Sequence, residues 1–225
     1  YDGDHGIFEH DGDFKSQCPT GGAVGGTATN PVAIHDLDGD GAAELLFGFQ
    51  NRFYVLTVAE DDCSVAWSKM VDAADAIASG TMFDLLDDGS VETIYADRSR
   101  VQIYSETGEL LFQESRTARE SISNPVVADV DGDGAAEILV ASSQPISYSG
   151  EPELPTGKTL MLIANEGGSF APTRRVWNQH TYHHSNVRED ARVPTHENPH
   201  WQSENSFRTN VAAAGSMDVC IPPGS

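Results

Sequence analysis

Two nine-residue stretches hold the densest chemistry in the chain: Asp36-Leu37-Asp38-Gly39-Asp40-Gly41-Ala42-Ala43-Glu44 and Asp129-Val130-Asp131-Gly132-Asp133-Gly134-Ala135-Ala136-Glu137. Each puts carboxylates at positions 1, 3, 5 and 9, and its glycines let the backbone fold back on itself, so up to eight hard oxygens can gather about one point. Ca²⁺ suits such a point, because it takes six to eight oxygen ligands at about 2.3–2.6 Å in flexible geometry. Mg²⁺ demands a tighter octahedron and keeps its waters, and Zn²⁺ would want His or Cys in the set. Calcium is therefore the expected cofactor.

The flanking residues say what carries these loops. Pro31-Val32-Ala33-Ile34 precedes the first and Leu45-Leu46-Phe47-Gly48-Phe49 follows it; Pro125-Val126-Val127-Ala128 and Ile138-Leu139-Val140-Ala141 flank the second. Short apolar, β-branched runs bounded by Pro and Gly read as buried strands. Each acidic loop thus joins two strands of a hairpin, unlike an EF-hand loop, which is longer and lies between helices.

A degenerate third copy lies between them, Asp84-Leu85-Leu86-Asp87-Asp88-Gly89-Ser90-Val91-Glu92. Leu86 replaces the carboxylate at position 3, and Asp87 stands where the other copies have glycine. Calcium is expected to be weak or absent here. The first aspartates, Asp36, Asp84 and Asp129, are spaced 48 and 45 residues apart. A period in the forties is the signature of propeller blades of four strands each.

At these residues the chain resembles the FG-GAP/VCBS repeat family, the calcium-loop blades of the integrin α-subunit propeller and of many secreted bacterial proteins. The resemblance covers about residues 30–145 and rests on D-x-D-G-D-G-x-x-E seen twice in register. It implies one ion held by the side chains of Asp36, Asp38, Asp40 and Glu44 with the carbonyl of Ala42. A second would be held by Asp129, Asp131, Asp133 and Glu137 with the carbonyl of Ala135. The middle copy retains Asp84, Asp88, Ser90 and Glu92. Asp-Gly runs also serve as solvated turns, an alternative that has most force at the middle copy.

The chain has 225 residues, 39% of them hydrophobic, with 21 Gly and 11 Pro, enough for one sizeable all-β core. Its formal charge of −22 disfavours nucleic acid and anionic lipid as partners. No apolar run approaches the ~20 residues of a membrane span. Cys18, Cys63 and Cys220 lack the spacing of a zinc finger. Calcium chemistry fits an oxidising, extracellular setting, and a Cys18–Cys63 bridge between outer-strand or inter-blade loops is expected.

Taken in order, residues 1–29 hold the end of a preceding blade, a hairpin turning at Asp11-Gly12, and a Gly-rich connector that lacks the lysine and helix of a phosphate loop. Residues 30–78 form a blade with an intact loop, including strands at 31–35, 44–49, 52–58 and 64–70, with Trp67 expected to pack between blades. A helical turn or connector falls at 72–80. Residues 79–120 form the blade with the degenerate loop, and 121–173 another with an intact loop and a Ser/Pro/Gly-rich insertion at 142–157. The fold class is all-β, about three and a half propeller blades with a loop-rich cap at 174–225. That count implies further blades upstream in a precursor, or from another chain.

Five of the eight histidines fall in the cap. His180, His183 and His184, with His196 and His200 nearby, invite a transition-metal reading, since imidazole suits such ions; the alternative is hydrogen bonding in a closing cap. Trp177-Asn178-Gln179-His180-Thr181-Tyr182-His183, with Asn205-Ser206-Phe207-Arg208-Thr209-Asn210 after it, is similar to an ending found after FG-GAP-type repeats in large secreted myxobacterial proteins, and implies a C-terminal position in an exported protein. No G-x-S-x-G or H-E-x-x-H signature is present. The expected role is non-catalytic: a secreted or cell-surface, calcium-binding propeller region for adhesion, matrix or extracellular assembly. Its partners would be other blades or copies of itself, with a surface glycan or protein as ligand. The alternative is a carbohydrate-binding module or polysaccharide-acting enzyme that uses the His-rich segment, with His180, His183 or Tyr182 as base.

Overall fold

Runs of apolar residues too short to span a domain, punctuated by Gly, Pro and Asp, can satisfy their backbone only by folding back as hairpins. The computed structural model of the chain describes residues 5–8, 11–18, 31–49, 51–59, 62–72, 80–116, 118, 124–142, 160–167, 170–197, 199–202 and 206–212. It is all-β, with thirteen strands in four antiparallel sheets, two 3₁₀ turns and no α-helix among those residues. Among the described residues no helix is long and apolar enough to cross a membrane.

Strands β1 (His5–Phe8) and β2 (Phe14–Cys18) form a hairpin around Asp11 and Gly12. Strands β3 (Ala33–His35), β4 (Glu44–Phe49), β5 (Arg52–Val58) and β6 (Cys63–Met70) follow as a four-stranded meander in chain order. A second meander comprises β7 (Thr81–Phe83), β8 (Glu92–Ala96), β9 (Arg100–Tyr104) and β10 (Leu110–Ser115). The third sheet has three described strands, β11 (Val126–Ala128), β12 (Glu137–Ala141) and β13 (Leu160–Ile163). β3 opens two residues later than the sequence pattern suggests, past Pro31, which has no N–H to offer a ladder. β10 continues to Ser115 because Gln113, Glu114 and Ser115 keep pairing with Gln102, Val101 and Arg100. The Gly-rich connector, the Glu60-Asp61 turn, the connector at 73–79, the insertion at 143–157 and Cys220 lie outside the described residues.

The sheets stack in chain order through three apolar layers. Phe47, Tyr54 and Leu56 meet Cys18 and Ile7 of the hairpin; Leu46, Phe53 and Val55 meet Met82, Tyr95 and Tyr104; Phe83, Ile94 and Ile103 meet Val127, Ile138, Val140 and Met161. Phe53 stacks on Tyr95 at 4.5 Å between centroids. Trp67 packs edge-on to Phe53 and donates its indole N–H to the Glu106 carbonyl at 2.7 Å, so it joins two sheets. Gly108, at φ +81°, leaves room for that indole, since a Cβ there would lie 2.8 Å from it. Cys18 and Cys63 form a disulfide that ties β2 to β6.

The first strands of the three larger sheets lie side by side, β3 against β7 and β7 against β11. The cap crosses all three. Ile34 of β3 and Phe207 exchange backbone hydrogen bonds at 2.8 and 2.9 Å. Thr81 of β7 donates its hydroxyl to the Arg208 carbonyl at 2.9 Å, and Asn210 donates its amide to the Val127 carbonyl of β11 at 2.9 Å. Asn210 in turn accepts the hydroxyl proton of Tyr182, which is fully buried. Arg174 donates to Tyr182 Oη, to the carbonyls of His184 and Val187, and to Glu189.

Asn210→Ala strips a fully buried amide from four partners at once: the Val127 and Arg174 carbonyls, the Tyr182 hydroxyl and the Val211 N–H. Unpaired buried groups cost about 1–3 kcal/mol each, so the variant should lose about 3 kcal/mol. Its melting temperature, measured at fixed calcium, should fall by roughly 6–12 °C, whereas exposed Arg192→Ala should leave it unchanged.

Candidate functional site

The three acidic loops sit at equivalent hairpin tips and share one register. The residue before position 1 pairs with position 9 in each: His35 with Glu44, Phe83 with Glu92, Ala128 with Glu137. The loop is closed by its own carboxylates accepting backbone N–H donors. In the first, Asp36 accepts from Gly39 at 2.8 Å and from Gly41 at 2.9 Å, Asp38 from Asp40 at 3.2 Å, and Asp40 from Ala42 at 2.7 Å. In the second, Asp129 accepts from Gly132 at 2.6 Å, Asp131 from Asp133 at 3.1 Å, and Asp133 from Ala135 at 2.8 Å. The position-9 glutamate reaches back to the position-2 N–H in all three loops, at 2.8 Å for Leu37, 2.7 Å for Leu85 and 2.7 Å for Val130.

Each of these carboxylates spends a lone pair on the backbone and keeps others directed into the loop. Donor oxygens of Asp36, Asp38 and Asp40 lie within 4.8 Å of one another, and so do those of Asp129, Asp131 and Glu137. Glu44 Oε1 is buried without a hydrogen-bond partner. An all-oxygen set with an unsatisfied buried carboxylate oxygen at its edge fits a hard cation, and Ca²⁺ better than a transition metal. Glu44 and Glu137 are pushed above the usual carboxylate range, first by burial and then by the neighbouring aspartates.

The middle loop keeps the scaffold without the full donor set. Asp84 accepts from Asp88 at 3.2 Å and Gly89 at 3.0 Å, and Asp88 accepts from the Ser90 N–H at 2.9 Å. Asp87 adopts φ +54°, the left-handed conformation that Gly39 and Gly132 hold at the same position, so an aspartate suffices for the turn. Leu86, in place of the position-3 carboxylate, is exposed. Glu92 is 3% exposed, and burial drives its carboxyl up to about 7 against the opposing hydrogen bond from Leu85.

The histidines of the cap separate into different environments. His180 faces the Arg208 guanidinium at 2.7 Å, and burial together with that charge lowers its pKa, a poor setting for a cation. His184 lies in a 3₁₀ turn, His184–Asn186, whose carbonyl serves Arg174. Neither joins His183 in a ligand cluster; the residues gathered with His183 are Glu197 and His200. Of the expected trio of His180, His183 and His184, His183 alone belongs to such a group among the described residues. Glu197 carries no sequence signal, being 14 residues from His183 and outside any metal motif.

Residues 84–140 match the model of an FG-GAP-like repeat, a span from the first aspartate of the middle loop to the strand after the last one. No curated protein matches the chain. Among solved structures the chain is similar to the V. cholerae biofilm matrix protein Bap1, at 21% identity and a TM-score of 0.60, over 76% of this chain. The aligned part is 28% of that protein's length, and the likeness is one of fold.

Burial of Glu92 sets a pH dependence. Below its ordinary value of 4.5 the carboxyl is protonated folded or unfolded; between 4.5 and about 7 only the folded protein holds the proton. Stability should therefore fall as pH rises from about 4.5 to about 7 and level off above it, by on the order of 2–3 kcal/mol from this residue. In chelator, Glu92→Gln should melt at or above the wild type at pH 8 and close to it at pH 4.5. A wild-type minus variant difference that does not change with pH would contradict this assignment.

Proposed function

We propose that this chain is part of a calcium-fastened β-propeller in a secreted or cell-surface protein with an adhesion or matrix role. The observation that carries the reading is the convergence of carboxylate oxygens at two of three equivalent hairpin tips. In each, Ca²⁺ would be held by Asp36, Asp38, Asp40 and Glu44 or by Asp129, Asp131, Asp133 and Glu137, with the carbonyls of Ala42 and Ala135 in support. Bound there, an ion supplies positive charge to carboxylates that otherwise repel, and holds the tip in the shape that the strand register requires.

The propeller reading is supported by the meander order of each sheet, by the face-to-face stacking, and by first strands that gather along one line beneath the cap. Further blades, or copies of this chain, are supported by the outermost surfaces. Val130, Leu160 and Leu162 on the third sheet are 45%, 59% and 51% exposed, while Leu37 and Leu85, equivalent to Val130, are buried. The matrix role is supported by the FG-GAP-like repeat and by the similarity to a biofilm matrix protein.

A ligand that binds only the folded state adds RT ln(1 + [L]/Kd), about 2.7 kcal/mol per site at a hundredfold excess. EGTA should therefore lower the melting temperature by roughly 5–10 °C for each site lost. Asp38→Ala and Asp131→Ala should each remove about half of the calcium-induced rise, and together nearly all of it. A melt that is the same in calcium and chelator overturns the calcium reading. For the matrix role, a labelled chain should be retained on an exopolysaccharide biofilm in calcium and released by EGTA; no retention in calcium counts against it.

A further inference from the structure

The cluster of His183, Glu197 and His200 lies in the cap, apart from the acidic loops, and its donor set has a different chemistry. His183 Nε2 and His200 Nδ1 both face Glu197 Oε1, the first in a short hydrogen bond and the second at 3.5 Å. The three ligand atoms lie within 4.8 Å of one another. Their side chains are 13%, 35% and 15% exposed for His183, Glu197 and His200, so the histidines are largely shielded and the carboxylate forms the open side. We propose that His183, Glu197 and His200 form a Zn²⁺ site that clips the cap loop between residues 183 and 200.

The residue types set the metal class. Two imidazoles and one carboxylate are a known zinc donor set, with a fourth position left to water, whereas Ca²⁺ prefers oxygen throughout. Donors 2.0–2.2 Å from a tetrahedral ion stand roughly 3.3 Å apart. Reaching that spacing requires the Glu197 carboxylate to step outward from His183, and Glu197 is the member with the most freedom.

The surroundings orient the donors. Ser185 donates its hydroxyl to Glu197 Oε1 at 2.7 Å. The His183 ring stacks on that of His200 at 3.9 Å between centroids, Trp201 lies edge-on to His200, and Phe207 flanks His183. The Thr181 carbonyl lies 3.3 Å from His183 Nδ1. A ligating Nε2 requires the proton on Nδ1, where that carbonyl accepts it, the usual support for a metal-bound imidazole. Asn186 Nδ2, 3.0 Å from the same nitrogen, favours the opposite tautomer as the side chains stand, so binding shifts the ring proton from Nε2 to Nδ1.

The clip has a location that matters to the fold. His183 follows buried Tyr182, which is bonded to Asn210, and Phe207 beside it bridges to Ile34 of β3. Closing the loop at 183–200 fixes the segment from which the cap reaches the sheets.

The test uses the full chain, freed of transition metals and returned to calcium, titrated with Zn²⁺ against a competing chelating dye. One saturable equivalent is expected, with a rise in melting temperature and a histidine NMR shift to the Nδ1–H tautomer. His183→Ala with His200→Ala should abolish that equivalent. Glu197→Gln, at a side chain that is 35% exposed, should weaken it by about tenfold or more, at least the lower end of the 10–100-fold loss that follows removal of an outer partner. His196→Ala should leave it unchanged. No saturable equivalent in the wild type, or one that survives in Glu197→Gln and the double variant alike, overturns the proposal and leaves a His–Glu–His hydrogen-bonded cluster only.

Discussion

The hydrogen bond from a position-2 N–H to a position-9 glutamate is the contact on which the architecture turns. At Leu37 and Leu85 one residue acts in three directions. Its N–H is held by Glu44 or Glu92, its side chain is buried in the layer between two sheets, and its carbonyl accepts a backbone bond from the next unit. The Leu37 carbonyl takes the Val91 N–H at 3.3 Å, and the Leu85 carbonyl takes the Ala171 N–H at 2.8 Å. The acidic tip is thus part of the contact between sheets, and its electrostatic state bears on their packing.

That contact has a cost and a use. The glutamates must be buried to make it, and a buried carboxylate prefers its proton. At Glu92, where the neighbouring donor set has lost a carboxylate to Leu86, the preference is strongest. At the two intact loops carboxylate oxygens gather at the tip, and a cation there would offset their repulsion. The middle loop separates the two roles, since it preserves the backbone path through Asp87 while its cation-binding set is incomplete.

Much of the fold was legible because its information is local. The acidic nonapeptides, the apolar runs beside them and the turn signal at Asp11-Gly12 locate hairpins within a residue or two of the strands observed. What the sequence does not reveal is carried by contacts across long separations. Thr81 meets Arg208, and Asn210 meets Val127, with no pattern to announce either pair. The same holds for the His cluster: counting histidines finds the region, but adjacency in sequence points to His180 and His184, and only the looped path of the cap brings Glu197 and His200 to His183. The Cys18–Cys63 bridge is an intermediate case, where two outer-strand positions one period apart come to face each other.

The third loop extends this reasoning to the cap itself. Val130, at position 2, has no following described sheet to pack on, and it is exposed. Instead the cap engages this loop from the side: Asp129 donates its N–H to the Arg174 carbonyl at 3.1 Å, Thr173 donates its N–H to the Gly134 carbonyl at 3.3 Å, and the Arg175 guanidinium lies against Gly132. Residues 171–175 therefore do for this tip what the next sheet does for the first. Ordering the loop and docking the cap are then mutually favourable, since each presents the other with a fixed partner. A cation at Asp129, Asp131 and Glu137 would therefore strengthen cap docking across β3, β7 and β11, and the last acidic loop would couple ion binding to the seating of the cap.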